Sequence, residues 1–322
     1  MQIDEVRALV ARDMSVVNDL ILERLRSQVT LVNRLGHYII DSGGKRLRPL
    51  LVLLSARAFG YAGPFHVNLA AVIEFIHTAT LLHDDVVDAS ELRRGQETAN
   101  AVWGNEASVL VGDFLYTRAF QMMVEVGSLP VMDILAETTN VIAEGEVRQL
   151  LNCHDPEVTE ARYLEVVEAK TAKLFEAGSR LGPVLAGAAP SAERAMSAYG
   201  MRLGTAFQLV DDMLDYRSSP EERGKNIGDD LAEGKPTLPL IHAMRAGTPE
   251  QAALVRRAIE EGGRDQIGPI LEAIESTGAL AYTLRVAREQ ADRAIAALEG
   301  VPDSPYKEAL RALAEFSVRR TH

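Results

Sequence analysis

The sequence predicts an all-α protein, a large single-domain helical bundle that covers residues 1–322. Long segments repeat apolar residues with the 3.6-residue period of a helix, and these segments lack internal proline. Alternating patterns typical of strands are almost absent. With 322 residues, 47% of them hydrophobic, the chain can bury a large core, and no repeat, low-complexity tract or linker divides it.

Glycine and proline separate the predicted helices. Breaks are predicted at Gly43-Gly44, residues 60–64, Pro156, Pro183, Pro190 and the loop 217–236. The helices are predicted near 4–24, 27–40, 49–59, 65–89, 105–126, 130–152, 159–181, 191–217, 237–246, 249–261, 279–298 and 304–319. The stretches 65–82 and 201–210 are apolar on nearly every face and are followed by aspartates, which indicates two buried central helices around a cavity.

Composition excludes several classes of function. A net charge of −12 argues against a nucleic-acid partner, because phosphate binding needs a basic surface. The first residues lack the features of a signal peptide, and no apolar stretch is expected to reach the roughly 18 residues of a membrane span. The single cysteine, Cys153, excludes an intrachain disulfide, fits a reducing cytosol and is expected to be inert. We therefore expect a cytoplasmic protein without a transmembrane segment.

The two buried helices end in the same acidic pattern, Asp-Asp-x-x-Asp. Carboxylates one turn apart share a helix face, and at a helix C-terminus they oppose the macrodipole by about 0.3–1 kcal/mol per charge. A solvated helix end could explain one copy, but two copies after apolar sequence favour a bound cation. Oxygen ligands favour Mg²⁺. The carboxylates are Asp84, Asp85 and Asp88 in the first motif, and Asp211, Asp212 and Asp215 in the second.

A basic segment precedes the first motif. In Gly43-Gly44-Lys45-Arg46-Leu47-Arg48-Pro49, the glycines allow a tight turn and Pro49 suits the first position of a helix. Lys45 and Arg48 then lie beside a helix N-terminus, which binds anions. Further donors flank the acidic motifs: Arg93, Arg94, Lys170, Thr171, Gln208, Lys225 and Lys235. Together these residues predict a site for two diphosphates, one held through metal and one held directly by side chains.

Two other patterns are rejected. Residues 228–235 resemble a phosphate-binding loop, but the glycine spacing is wrong and Pro236 replaces the required Ser or Thr. Glu74 and His77 have the Glu-x-x-His spacing of di-iron bundles, which need that motif on two helices. No other histidine in the chain has a glutamate three residues before it.

With these motifs, the whole chain resembles the trans-type polyprenyl diphosphate synthases, most closely the long-chain bacterial members. The segment from Phe75 to Asp88, the paired Asp-rich motifs, Gly112-Asp113-Phe114, Gly224-Lys225-Asn226 and the basic segment carry the resemblance. It implies the isoprenoid synthase type of helical bundle, with a central active-site cavity. It also implies a homodimer that makes octaprenyl or nonaprenyl diphosphate for a quinone side chain.

The resemblance implies a role for each site residue. Lys45, Arg48, His77 and Arg94 hold isopentenyl diphosphate. The allylic substrate, farnesyl or geranyl diphosphate, contacts Arg93, Lys170, Thr171, Gln208, Lys225 and Lys235. Asp84 and Asp88, supported by Asp85, bind Mg²⁺. Asp211, with Asp212 and Asp215 around it, binds a further Mg²⁺, so that three ions are expected with substrate. Closure of the 218–236 loop is expected to exclude water.

Product length is expected to depend on the helix before Asp84. Short-chain relatives commonly carry a bulky aromatic residue four or five positions before the first aspartate, where this chain has the small residues Thr80 and Ala79. Ile76 lies one turn deeper. Met122 and Met123 are candidates for the floor of a product tunnel, and ordinary core packing is their alternative role.

Two alternative functions stay open at this point. A class I terpene cyclase ionises the same kind of substrate, but it has no second diphosphate to hold, so Lys45, Arg48 and Arg94 favour condensation. A non-catalytic partner subunit typically lacks one Asp-rich motif, and this chain has both.

Overall fold

The computed structural model describes residues 1–41, 44–93, 95–217, 227–262 and 265–320. It confirms the all-α class, because the extended structure in these ranges is one antiparallel hairpin, β1 (Leu92–Arg93) with β2 (Gln96–Glu97). The helices are α1 Ile3–Leu9, α2 Ala11–Arg24, α3 Thr30–Asp41, α4 Leu47–Ala58, α5 Phe65–Val87, α6 Ala99–Trp103, α7 Asn105–Val126, α8 Leu129–Asn152, α9 Glu160–Val167, α10 Lys173–Leu185, α11 Pro190–Leu214, α12 Asp229–Ala232, α13 Leu238–Ala246, α14 Pro249–Glu261, α15 Ile267–Ser276, α16 Ala279–Ala297 and α17 Pro305–Ser317. A π-helical segment, Glu168–Ala172, joins α9 to α10, and a 3₁₀ turn, Leu298–Gly300, follows α16.

Contacts between residues group the chain into two compact units. Unit 1 comprises Met1–Thr139, Leu174–Gly200 and Ala297–Leu313, and unit 2 comprises Asn140–Lys173, Met201–Ala296 and Ala314–His322. Both units are discontinuous in sequence, and α8 and α11 contribute residues to each of them. A single domain over residues 1–322 stays a prediction.

Unit 1 is built around α5. This helix packs against α2, α4 and, most extensively, α7. From Val67 to Leu82, apolar residues on every face of this helix are buried, as the sequence predicts for a central helix. Burial continues from Val67 almost to the first acidic motif, with Leu82 fully buried and Asp85 buried beside it. The packing of α5 therefore places the three aspartates of this motif at the end of a helix that is fixed along its length.

The prediction that no stretch is long and apolar enough for a membrane span is wrong for α5. Its 23 residues include an 18-residue window with a mean hydropathy of 1.4, and 72% of that window is buried inside the fold. The core helix of a soluble protein passes the same test of length and composition. Burial against α2, α4 and α7 accounts for the composition of α5, and one such helix is weak evidence of a span.

Unit 2 has two apolar clusters that contain residues within or next to the second acidic motif. One joins Tyr163 on α9 to Leu209 and Met213 on α11, with residues of α13 and α16. The other joins Tyr216, just after α11, to residues of α12, α13, α14 and α15. The end of α11 is consequently packed on both sides of the motif.

The predicted helix breaks are wrong at two places: one observed break is not predicted, and one predicted break does not occur. The helix predicted at 4–24 is interrupted at Val10, where φ −125° and ψ 21° leave helical geometry between α1 and α2. No break occurs at Pro183, which lies in the last turn of α10. Proline lacks the N–H that would bond to the carbonyl of Ser179. That carbonyl instead accepts a hydrogen bond from the Ser55 hydroxyl at 2.6 Å, so the helix continues to Leu185.

Several short helices and the hairpin are not predicted from the sequence. It does not predict α6, α12, the hairpin or α15, although α15 contributes the buried residues Ile270 and Ile274. The helix predicted from Pro49 begins at Leu47, so Pro49 is the third helical residue. That position still lies in the first turn, where N–H groups have no intrahelical partner.

Candidate active site

The first acidic motif contains one buried carboxylate and two that are partly exposed. Asp85 is fully buried, whereas Asp84 and Asp88 at the end of α5 are partly exposed. The Arg93 guanidinium, which follows in β1, donates from Nε at 2.9 Å and from Nη2 at 2.5 Å to Asp85 Oδ1. Asp85 is thus the hydrogen-bond partner of Arg93. The carboxylates of Asp84 and Asp88, one turn apart, are the ones that remain partly exposed to solvent.

Charge in this motif determines the state of Arg93. Burial of its guanidinium opposes the positive charge, but the hydrogen bond and charge of Asp85, with smaller contributions from Asp84 and Asp88, outweigh burial and raise the pKa of Arg93. Arg93 therefore stays positively charged beside the aspartates. Arg94 lies outside the described residues.

The basic segment meets α5 within unit 1. Arg48, in the first turn of α4, has its Nη1 3.1 Å from His77 Nε2, and its Cζ lies 4.6 Å from the centre of the Phe175 ring. Lys45 precedes α4 and is partly exposed. The structure therefore brings Arg48 and His77 together, as expected for two groups that bind one anion, while the adjoining Gly43 lies outside the described residues.

In the second motif, both oxygens of Asp212 are bound within unit 2. The Tyr163 hydroxyl donates to Oδ2 at 2.5 Å, and Gln208 Nε2 donates to Oδ1 at 2.6 Å. The Thr171 hydroxyl donates to Gln208 Oε1 at 3.0 Å. Burial, followed by the charge of Asp230, raises the pKa of Asp212 to about 7, although the hydrogen bonds from Tyr163 and Gln208 lower it. Asp212 is thus buried and fixes the Gln208 amide by a hydrogen bond, and Gln208 in turn accepts a hydrogen bond from Thr171.

The other two aspartates of this motif differ in exposure. Asp215 is buried and accepts a hydrogen bond from the Asp230 backbone N–H at 3.2 Å. Asp211 has 38% of its side chain exposed, and Arg320 Nη1 lies 2.7 Å from its Oδ1. The guanidinium of Arg320 also lies 3.8 Å from the centre of the Phe207 ring. Asp211 is therefore the most accessible carboxylate of the second motif, and it is oriented by an arginine.

Two predicted lysines are paired with glutamates. Lys170, in the π segment, lies 2.5 Å from Glu146 and donates to Gln149 at 2.7 Å. Lys235 is buried and lies 2.5 Å from Glu233. Lys225 and the first part of the 218–236 loop lie outside the described residues, so its predicted closure stays a prediction.

The predicted product-length residues are buried in unit 1. Ile76, Ala79, Met122 and Met123 are at most 1% exposed, on the mutually packed helices α5 and α7. Thr80 is partly buried, and its hydroxyl donates to the His77 carbonyl at 2.9 Å. The location suits either role considered for the methionines.

The donor set fits a hydrated cation better than a caged one. Across the described ranges, no three His, Cys, Asp or Glu side chains form a ready-made metal site. Mg²⁺ rarely uses such a cage, because it keeps several waters and binds one or two carboxylates together with substrate phosphates. The partly exposed carboxylates of Asp84, Asp88 and Asp211 suit that mode of binding.

Comparison with known proteins is decisive about the family. A family model described as polyprenyl synthetase matches residues 29–276, more than half of the chain. The chain belongs to the polyprenyl synthetase family. Octaprenyl diphosphate synthase of Escherichia coli (strain K12) is 57% identical to this synthetase over 321 residues, 99% of each chain. An all-trans-nonaprenyl-diphosphate synthase of Rhodobacter capsulatus, described as geranyl-diphosphate specific, is 44% identical over 98% of this chain and 97% of its own.

A solved structure extends the comparison to the fold. The crystal structure of a polyprenyl synthase from Caulobacter crescentus CB15, complexed with calcium and isoprenyl diphosphate, matches this synthetase with a TM-score of 0.96 and 47% identity. The match covers 100% of this chain and 98% of that one. The predicted resemblance and the all-helical isoprenoid synthase fold are thereby confirmed.

Sequence reasoning missed three residues: two that bind predicted aspartates, and one that binds the glutamate of the rejected Glu-x-x-His pattern. Tyr163 binds Asp212, Arg320 binds Asp211, and Arg46 binds Glu74. Tyr163 and Arg320 lie far from the motifs in sequence and carry no local signal. Arg46 lies inside the predicted basic segment, but its pairing with a glutamate of α5 could be found only from the fold.

Proposed function

We propose that this synthetase is a long-chain all-trans-polyprenyl diphosphate synthase that condenses isopentenyl diphosphate, head to tail and repeatedly, with an allylic diphosphate. The observation that carries the proposal is the full-length similarity to an octaprenyl diphosphate synthase, 57% identical over 99% of both chains. Similarity to a nonaprenyl-diphosphate synthase supports a product of eight or nine isoprene units.

The proposed site assigns the two diphosphates to different side chains. Isopentenyl diphosphate is held by Lys45, Arg48, His77 and Arg94. The contact between Arg48 and His77 supports this assignment. The allylic diphosphate, from farnesyl or geranyl diphosphate, is held by Arg93, Lys170, Thr171, Gln208, Lys225 and Lys235. The hydrogen bond from Gln208 to Asp212 supports a preorganised position of the Gln208 amide, whose second N–H is a donor, in unit 2.

Mg²⁺, with three ions when substrate is present, is proposed to bind through Asp84, Asp88 and Asp211. When bound, it neutralises the charge that develops on the leaving diphosphate. Two buried aspartates are proposed to orient side chains that bind the diphosphate rather than to bind metal. Asp85 orients Arg93, and Asp212 orients Gln208, so that these donors need not reorganise as the allylic C–O bond breaks.

Condensation follows from the charges that the protein provides. Departure of diphosphate leaves an allylic cation, and the double bond of isopentenyl diphosphate attacks that cation. Loss of a proton then restores an alkene. The motifs suggest no dedicated protein base, so we assign this proton to the departed diphosphate. Positive side chains on both diphosphates favour ionisation of one and orientation of the other.

A homodimer in the cytoplasm is proposed for the assembly. On α8, Val147, Leu150 and Leu151 share one face and are 58%, 61% and 73% exposed. Exposed apolar residues that cluster on one face suit a contact with a second copy. Light scattering after gel filtration tests this, and a mass of one chain at micromolar concentration would contradict it. We assign the product to the side chain of a quinone, and analysis of quinones in cells that lack this protein tests that assignment.

The central test is product analysis with the purified chain. Incubation with farnesyl diphosphate, isopentenyl diphosphate and Mg²⁺ is expected to consume isopentenyl diphosphate and yield one dominant long-chain polyprenyl diphosphate by mass spectrometry. Cyclic hydrocarbon formed without that consumption would instead support a terpene cyclase. Lack of turnover unless another protein is added would support a partner subunit.

A matched pair of variants assigns the chemistry to the first motif. Asp84→Ala is expected to abolish turnover while the far-ultraviolet circular dichroism spectrum stays unchanged. Asp133→Ala removes an exposed aspartate of α8 and is expected to leave turnover unchanged. Retained activity of Asp84→Ala at saturating Mg²⁺ would refute the metal role.

A further inference from the structure

Glu74 and His77 lie one turn apart on α5 and contact different arginines of the basic segment. His77 Nε2 is 3.1 Å from Arg48 Nη1. The Glu74 carboxylate forms a hydrogen-bonded ion pair with Arg46. Residues three apart in a helix lie on the same face. The Glu-x-x-His spacing rejected as an iron motif is therefore a pair of contacts that joins α5 to the segment before α4.

Arg46 has an unusual backbone conformation. Its φ of 50° and ψ of 32° are left-handed, and in the described ranges only Ala89 and His154 share a positive φ among residues other than glycine. Such a conformation is disfavoured for a residue with a Cβ and persists where surrounding contacts hold it. Two contacts hold the Arg46 guanidinium: the Glu74 carboxylate and the Ile40 carbonyl, which accepts at 3.3 Å.

Arg46 begins the first turn of α4, and in sequence it lies between Lys45 and Arg48, the two cationic residues proposed to bind isopentenyl diphosphate. Its carbonyl accepts a hydrogen bond from the Leu50 N–H at 3.1 Å, which closes the first turn of the helix. Lys45 lies immediately before this turn, and Arg48 lies within it. The backbone direction at Arg46 therefore fixes the relative placement of the two cations.

Burial makes the contact with Glu74 specific. Glu74 is 8% exposed on the mostly apolar helix α5, and the Arg46 side chain is 21% exposed. Removing one member of such a pair leaves the charge of the other without a partner, which is unfavourable in a buried environment. A glutamate at this position is otherwise unfavourable in a buried helix.

We propose that Glu74 is a positioning residue for isopentenyl diphosphate. It acts through the left-handed turn at Arg46 to set the spacing of Lys45 and Arg48. The inference rests on the proposed function, because it assumes that these two side chains bind that substrate. Glu74 itself does not touch the substrate.

The test is steady-state kinetics of Glu74→Gln, which keeps the shape of the side chain and removes its charge. The KM for isopentenyl diphosphate is expected to rise about tenfold or more, while kcat and the KM for farnesyl diphosphate change by less than about threefold. Asp13→Asn is the control. It breaks a partly buried ion pair of unit 1, in which Asp13 accepts from Arg57 at 2.8 Å, and it should leave both KM values unchanged.

A double variant separates positioning from general stabilisation. Glycine adopts the left-handed conformation without strain. Glu74→Gln combined with Arg46→Gly therefore removes both charges of the pair yet permits the same turn, and it is expected to bring the KM for isopentenyl diphosphate back to within about threefold of the parent. A purely structural ion pair predicts no such recovery. The double variant also serves if Glu74→Gln alone does not fold.

Three outcomes decide the inference. Equal rises in both KM values for Glu74→Gln, or no rise in either, would overturn it. Failure of the double variant to recover would overturn the role of the turn. Lys45→Ala distinguishes the two levels, because an unchanged KM for isopentenyl diphosphate in that variant would instead refute the proposed binding site.

Discussion

Each acidic motif combines a buried carboxylate with more exposed ones. Asp85 is bound by Arg93, and Asp212 is bound by Tyr163 and Gln208. Burying a carboxylate is unfavourable unless it is hydrogen-bonded, and these partners satisfy that requirement. The three aspartates of each motif look equivalent in the sequence, but in the fold one carboxylate is buried and positions a neighbouring side chain, while others are more exposed.

Asp212 should give the metal-free protein a distinct dependence of stability on pH. Its pKa is raised from 3.8 to about 7 in the folded state, mainly by burial. Between these values the folded protein keeps a proton that the unfolded chain has lost. The stabilising contribution is therefore complete below the unfolded pKa and is lost as the pH rises through about 7.

Urea unfolding with chelator at pH 5, 6 and 7 checks this. We expect Asp212→Asn to gain stability relative to the parent as the pH rises, because the variant has no proton to lose. A difference in the free energy of unfolding that stays constant over this range would contradict the expectation.

Arg320 should stabilise unit 2 as well as orient Asp211. Its side chain is 3% exposed, pairs with Asp211 at 2.7 Å and donates to the Phe207 carbonyl at 2.5 Å. Because Asp211 is partly solvated, we expect Arg320→Ala to lower the free energy of unfolding by about 1–3 kcal/mol. Arg319→Ala is the control. Its side chain is 75% exposed, so a loss equal to that of Arg320→Ala would contradict the prediction.

At the scale of elements, close approach between helices places the π segment of unit 2. A Cβ atom on Gly145 of α8 would lie 2.9 Å from the Ala169 Cβ and 2.9 Å from the Lys170 backbone nitrogen. Glycine therefore lets α8 approach the segment that carries Lys170 and Thr171. Lys170 and Thr171 lie within the π-helical segment itself, so their side chains are placed differently from those of a continuous α-helix.

Gly145→Ala should displace that segment. Overpacking against backbone is expected to lower the free energy of unfolding by about 1–3 kcal/mol and to raise the KM for the allylic diphosphate. Gly268→Ala, in α15, meets no atom within 4 Å and is the matched control. Equal thermal midpoints for the two variants would show that the close approach at Gly145 is unimportant.

Helix α5 is the element proposed to set product length. Ala79 is fully buried on it, and a larger side chain there should shorten the space available to the growing chain. We expect Ala79→Tyr to yield products of roughly farnesyl to geranylgeranyl length by mass spectrometry, with a loss of stability of about 1–3 kcal/mol from overpacking. A folded variant that still makes the parent product would exclude a tunnel along this face.

For the whole molecule, substrate groups and metal should stabilise the fold together. A ligand that binds only the folded state at 100 times its Kd adds about 2.7 kcal/mol. Inorganic diphosphate with Mg²⁺ is therefore expected to raise the thermal midpoint by several degrees, and more than either alone. Calorimetry measures this, with Asp84→Asn as the variant that loses the increase and Asp133→Asn as the one that keeps it.

The parts of this protein that were predictable are those encoded by local patterns. The apolar periodicity of α5 and α11 and the spacing of their aspartates indicate buried helices with acidic ends. The continuation of α10 through Pro183 was not predictable, because the hydroxyl that makes it possible comes from Ser55, far away in sequence. The same holds for Tyr163 and Arg320, whose roles depend on contacts formed only after folding.

The apolar character of α5 has a consequence during synthesis of the chain. Helices α2 and α4 precede α5 in the chain, but its main packing partner, α7, ends at Val126 and is synthesised after it. At about 5–20 residues per second, the delay is roughly 2–8 seconds. For that interval the nascent chain displays a segment that resembles a membrane anchor. The order of the helices in the chain therefore leaves the face of α5 that packs against α7 uncovered for this interval.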